Sequence, residues 1–242
     1  MIKVKLFGLP VLLISMIFFL AGCEISPPSK GEKLSEVEQL YNQSNFKDAM
    51  NVARYNLKNN PKDPASVVTV WKTQVLQGTK SKVYVQQLFK AVKERVPEFG
   101  NGLIPFLGRG VLVDSHNTVR LFCLLCLGEL PDVSSSDLIA KVFDPGYILG
   151  DKPSDVTLDC LRGEAGLALG KRKYSQVYEG IIALTESEDG EVRGNAAMAL
   201  GYLGDERALP KLEELTKDEF KLRGARYVAE KADSAISLIK GE

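Results

Sequence analysis

Arg162-Gly-Glu-Ala-Gly-Leu-Ala-Leu-Gly170 and Arg193-Gly-Asn-Ala-Ala-Met-Ala-Leu-Gly201 align without a gap at an offset of 31 residues. The register holds downstream, where Ile181 meets Leu212 and Leu184-Thr185 meets Leu215-Thr216. An earlier copy, Val119-Arg-Leu-Phe-Cys-Leu-Leu-Cys-Leu-Gly128, sits at an offset of 42, and the excess of 11 equals the loop Phe143 to Pro153 (FDPGYILGDKP). A degenerate copy opens at Leu222-Arg223-Gly-Ala, 30 residues after Arg193. A helix pair recurring near this period is the signature of a solenoid, in which each unit leaves an apolar face for its neighbour to cover.

Small residues carry the pattern. Ala165, Ala168, Ala196 and Ala199 mark places where neighbouring helices approach closely, Leu169 and Leu200 fill the seam, and Gly170 and Gly201 lie near the helix end. The run Asp189-Gly-Glu-Val-Arg-Gly-Asn-Ala-Ala-Met-Ala-Leu-Gly-Tyr-Leu-Gly-Asp205, followed by Ala208, Leu209 and Pro210, resembles the short HEAT repeats common in bacteria. The resemblance covers residues 115–240. It implies an all-α, right-handed solenoid of helical hairpins, with the second helix of each pair on the concave side. Candidate partner-binding residues there are Gln176, Glu179, Lys211 and Glu214.

Arg120, Arg162, Arg193 and Arg223 form a ladder with one arginine per repeat. An anion-binding stripe is one reading. The resemblance favours another, in which each arginine bonds a carboxylate or carbonyl in a neighbouring turn and fixes repeat spacing. Asp114, Asp189 and Asp218 are candidate partners. The same register decides the CxxC pair: Cys123 aligns with Ala165 and Ala196, and Cys126 with Ala168 and Ala199. A free cysteine in an alanine position packs as a small hydrophobe, and no neighbouring charge depresses a thiol pKa here.

The first half reads differently. Leu40-Tyr41, Ser44, Phe46, Ala49, Ala53, Leu57 and Pro61 resemble a tetratricopeptide repeat, with Ser44 standing where that pattern has glycine. Residues 64–77 and 82–96 suit a second pair around a turn at Gly78 to Ser81, and Trp71 shares an apolar face with Val67, Val68 and Val75. Residues 97–113 are glycine-rich and suit one irregular helix between the two repeat types. The expected division is a leader over 1–22, a tether over 23–33, a tetratricopeptide-like region over 34–113 and a HEAT-like region over 114–242.

Met1-Ile2-Lys3-Val4-Lys5 followed by an apolar run to Leu20 is the form of a secretory signal peptide. An uncleaved membrane anchor is the alternative, but the 17 residues from Leu6 to Gly22, interrupted by Pro10, are short for a span. Leu20-Ala21-Gly22-Cys23 resembles the lipobox of bacterial lipoproteins. The resemblance implies cleavage before Cys23, lipidation of its thiol, acylation of the new amino terminus, and a lipid-anchored chain. Glu24 in place of aspartate points to the outer membrane, facing the periplasm. The tether EISPPSKGEK, residues 24–33, keeps the folded body close to that surface.

Lysines plus arginines number 31, against 31 acidic residues. Loss of residues 1–22 leaves a net charge of −2, which gives no electrostatic case for nucleic acid. With Cys23 committed to lipid, Cys123, Cys126 and Cys160 are an odd set that cannot all pair within the chain. The single histidine, His116, lies in the polar turn Asp114-Ser-His-Asn117, where it suits capping or solvation. No zinc spacing, phosphate loop, dinucleotide fingerprint or nucleophile elbow is present, so neither a catalytic set, a metal nor a cofactor is expected. Bilin lyases also use short HEAT-like repeats, but an exported chain without a catalytic set does not suit that chemistry. The expectation is a non-enzymatic scaffold or assembly factor of the cell envelope with a protein or peptide partner. A passive structural subunit of an envelope complex is the alternative.

Overall fold

The computed structural model describes residues 36–78, 80–222 and 224–241. It is an all-α solenoid. Among the described residues no strand forms, and the only extended pairings are isolated bridges, His116 with Lys152 and Leu222 with Ala225. The leader, Cys23 and Arg223 lie outside the described residues.

The chain opens with α1 (Glu36–Asn42) and α2 (Phe46–Asn59), followed by α3 (Pro64–Gln77) and α4 (Lys82–Val92). Local sequence explains these boundaries. Asp63 caps α3 by accepting from Ser66 N at 2.9 Å, with Pro64 in the first turn, where a missing N–H is harmless. Ser81 caps α4 through Tyr84 N at 3.3 Å. The turn between α1 and α2 holds Ser44 at φ 61°, the left-handed region that glycine adopts without penalty. The glycine-rich stretch, expected as one irregular helix, is instead two, α5 (Val96–Phe99) and α6 (Ile104–Val113), parted by a 3₁₀ turn over Gly100–Leu103 where Gly100 takes φ 65°.

Next come α7 (Asn117–Gly128) and α8 (Val133–Ala140), then α9 (Leu158–Lys171), α10 (Tyr178–Leu184), α11 (Gly190–Leu203), α12 (Leu209–Leu215) and α13 (Tyr227–Lys240). α7 is apolar almost all round, as a helix buried on every side must be. Leu121, Phe122, Leu124 and Leu127 on it are at most 1% exposed. It packs against α3, α4, α6, α8 and α9 and so joins the two halves. Trp71 is buried in this junction, edge-on to Phe99 and Phe122. One continuous core runs from Val67 to Ala235, and a smaller cluster of Val37, Met50, Val52, Ala53 and Val70 holds the first hairpin to α3.

The repeat stack is tightest along its first helices, α9, α11 and α13. A Cβ at Gly170 of α9 would lie 2.5 Å from Ala199 O of α11, and one at Gly201 would lie 2.6 Å from Ala235 Cα of α13. These glycines therefore set the interhelix distance. The 31-residue register extends to backbone conformation: Lys173 (φ 55°) and Gly204 (φ 74°) occupy equivalent left-handed positions after α9 and α11. A long-range tie is added by Lys82 at the start of α4, whose ammonium bonds Glu191 of α11 at 2.5 Å, while its backbone N–H donates to Asp155 at 2.7 Å.

Candidate protein-binding surface

The second helices, α10 and α12, are short and are bridged by long side chains. The Arg207 guanidinium lies 4.4 Å from the centre of the Tyr178 ring. Lys211 reaches back to Glu186 and, at 3.0 Å, to Glu214 on its own helix; those hydrogen bonds raise its pKa. The Tyr174 hydroxyl lies 3.0 Å from Asp137 Oδ1, to which it donates, and 3.0 Å from the side-chain amide of Gln176. Gln176, Glu179 and Glu214 are exposed and Lys211 is half-buried. The surface therefore presents mixed charges on a rigid backing of Tyr178, Ile181, Leu212 and Leu215, which are buried. Such a face offers polar recognition.

The described ladder arginines point inward to main-chain acceptors. Arg120, 5% exposed, donates from Nε to Asp114 O at 2.6 Å and from a terminal nitrogen to Ile148 O at 2.7 Å. Arg162 donates to Val142 O at 3.0 Å. Arg193 alone among these three grips a carboxylate, Asp218, at 2.7 and 3.2 Å, and it also reaches Ser187 O at 2.8 Å. The Asp218 carboxyl is held below its ordinary range by the hydrogen bond from Arg193. Asp189 instead caps α11 through Glu191 N at 2.8 Å.

Sequence reasoning passed over Arg172. Its guanidinium enters the preceding repeat, donating to Ser135 and Ser136 hydroxyls at 2.9 Å and to Leu127 O, Gly128 O and Leu130 O at 2.8, 3.0 and 2.6 Å. It adds donors to the carbonyls of Leu127 and Gly128 in the last turn of α7 and of Leu130 in the turn that follows. The signal was a break in the repeat, since the 31-residue register places apolar Leu203 opposite this arginine.

The carboxylate of Asp114 is likewise committed elsewhere. It meets the Lys72 ammonium at 2.9 Å and accepts from His116 N at 3.0 Å, with His116 Nδ1 at 3.2 Å. Burial would raise this carboxyl, but the hydrogen bond from His116 and the Lys72 charge outweigh it and hold the pKa at about 2. Lys72 also lies 3.8 Å from the centre of the Tyr41 ring, whose buried hydroxyl has no hydrogen-bond partner among the described residues. His116 stands at the N-cap position of α7 without capping it, and its ring packs edge-on to Phe46.

Cys123, Cys126 and Cys160 are buried free thiols. Burial pushes Cys123 and Cys160 up to about 12 and Cys126 well above its ordinary value, far from nucleophilic character at neutral pH. Among the described residues no cluster of histidine, cysteine or carboxylate side chains suits a metal ion, and no helix is long and apolar enough to cross a membrane.

Residues 159–232, from α9 into α13, match the family of HEAT repeats. The match covers under a third of the chain and coincides with the tight stack. HEAT repeats generally serve as scaffolds for protein–protein interaction. No curated protein matches the chain.

Proposed function

We propose that this protein is a lipid-anchored scaffold or assembly factor of a bacterial cell envelope, exported by residues 1–22 and acylated at Cys23. The observation that carries the reading is the conjunction of Leu20-Ala21-Gly22-Cys23 with a repeat stack of the HEAT type. Acyl chains on Cys23 supply retention, since each buried CH₂ adds about 0.8 kcal/mol. The stack supplies a rigid, extended face for a polypeptide partner. Glu24 in place of aspartate supports an anchor in the outer membrane, with the body in the periplasm. Residues 34–113 form the tetratricopeptide-like part, a reading supported by the left-handed turn at Ser44, and residues 114–242 form the HEAT-like part. The partner contacts the surface around Gln176, Glu179, Lys211 and Glu214, while the arginine ladder holds the spacing of that surface. No reaction is assigned to it, and nucleic acid is not among its partners.

Two measurements test this. Metabolic labelling with palmitate marks the native chain, and Cys23→Ser abolishes the label and releases the protein from membranes or leaves it unprocessed; unchanged labelling refutes the anchor. Affinity capture from detergent-solubilised membranes recovers a stoichiometric polypeptide that is lost on Glu179→Lys and Glu214→Lys. Turnover of a substrate by the purified protein alone would refute the scaffold.

A further inference from the structure

The insertion that lengthens one repeat shapes a second site. Its end is pinned against the start of α7. Gly150 N donates to Asn117 Oδ1 at 2.7 Å, Asn117 Nδ2 returns to Gly150 O at 3.3 Å, and Lys152 N donates to Ser115 O at 3.1 Å. Between this loop, α2, the end of α3 and the first turn of α7 lies a recess of about 470 Å³, within the size range of small-ligand sites.

Its charged lining has one sign. Lys47, Arg54, Lys80 and Lys152 face it, and no aspartate or glutamate lines it. Among the described residues Lys47, Arg54 and Lys80 have no carboxylate partner, and Lys152 has only exposed Asp151 at 3.6 Å. A chain with 31 acidic and 31 basic residues has gathered four cations here, three of them without a carboxylate partner among the described residues. Their mutual repulsion is relieved by an anion.

The first turn of α7 adds directed donors. His116 does not cap this twelve-residue helix, and the Asn117 side chain is committed to Gly150. The N–H groups of Asn117 and Thr118 have no acceptor among the described residues. Thr118 is only 3% exposed, lines the recess, and its hydroxyl has no hydrogen-bond partner among the described residues. Unpaired amides at a helix start attract anions, and the unpaired hydroxyl of this largely buried threonine is a third donor. Met50 and Leu76 supply an apolar wall.

We propose that this recess binds the phosphate group of a small phosphomonoester, with the organic part against the apolar wall. Three donors match three phosphate oxygens, and a dianion suits four cations better than a single carboxylate. The site does not depend on the scaffold reading, because it lies on α2, α3 and α7 and not on α10 and α12. Calorimetric titration of the full chain in uncharged detergent tests it, with inorganic phosphate, glycerol 3-phosphate and dihexanoyl phosphatidic acid as probes. Saturable binding is expected, weaker at higher salt. Arg54→Gln or Lys152→Gln should each reduce it about tenfold, and Thr118→Val should reduce it without changing the fold. Preference for glycerol 3-phosphate identifies a free metabolite as the source of the phosphate; preference for the short-chain lipid identifies a membrane headgroup. No saturable binding by any probe up to about 10 mM, or binding indifferent to Arg54→Gln and Lys152→Gln, overturns the proposal.

Discussion

Gly163→Ala and Gly170→Ala are the same chemical change on the same helix, and the packing gives them opposite signs. Alanine in a helix interior is favoured over glycine by about 0.8–1.0 kcal/mol, so both should stabilise α9 if only the helix mattered. At Gly163 the new methyl would lie 3.4 Å from Val192 Cγ1 and 3.6 Å from Val192 Cα, ordinary contacts that leave the gain intact. At Gly170 it would lie 2.5 Å from Ala199 O, 2.9 Å from Ala199 Cα and 3.1 Å from Ala199 C. These are backbone atoms of α11, which no rotamer change can move aside. Separating the helices is overpacking, with a penalty of about 1–3 kcal/mol, and near the helix end the propensity gain is smaller. Gly163→Ala should therefore stabilise by roughly 0.5–1 kcal/mol, and Gly170→Ala should destabilise by roughly 1–2 kcal/mol. Urea unfolding followed by far-ultraviolet circular dichroism reads the difference. Repeat stacks can open in segments, so amide exchange across α9 and α11 gives the local value. Equal stabilisation by both substitutions would refute the glycine-set seam.

The Asp114 carboxyl, held at about 2 in the folded protein against about 3.9 unfolded, is depressed by folding. Its contribution of about 2–3 kcal/mol is complete above pH ~4 and is lost as pH falls toward 2; Asp114→Asn should flatten the acid limb of a stability profile, and an unchanged limb would count against the pair with Lys72. Lys72→Met leaves that carboxylate buried with only its His116 contacts and should destabilise by about 3 kcal/mol in chemical unfolding, whereas a loss within error would count against the Lys72 pair. Lys173→Gly relieves a left-handed lysine and should stabilise by on the order of 0.5 kcal/mol, the strain relief less the added freedom of the unfolded chain, as read by thermal unfolding.

Local signals carried the helices well. The Asp63-Pro64 start and the Gly78 to Ser81 turn are local backbone preferences, and the gapless 31-residue register is a pattern of residue sizes, so all three can be read without knowing a tertiary contact. The left-handed residues after α9 and α11, Lys173 and Gly204, obey the same register but were visible only in the backbone. Long-range choices among equivalent partners were not legible. Asp114 lies six residues from Arg120, yet its carboxylate serves Lys72, which comes from another helix, and Arg120 takes the main-chain carbonyl instead. Arg172 sits in the basic run Lys171-Arg172-Lys173, which reads as a solvated surface, and only the folded chain brings the α7 carbonyls to it. The insertion over 143–153 read as a spacer, but Gly150 and Tyr147 fasten it to α7 and α6 through Asn117 and Val111 O. The cationic recess was invisible for the same reason, since its four charges come from three separate stretches of chain. The candidate partner surface was legible only as positions on a helix. That Lys211 is already engaged by Glu186 and Glu214 depends on the spacing between repeats.

A stack that touches only its neighbours should peel like a zipper under load applied at one end. The grip of Lys82 on Glu191 spans 109 residues and changes that mechanical behaviour. Drawn by its carboxyl end, the chain should shed α13 and α12 first and then meet a resisting step when α11, buttoned to α4, has to let go.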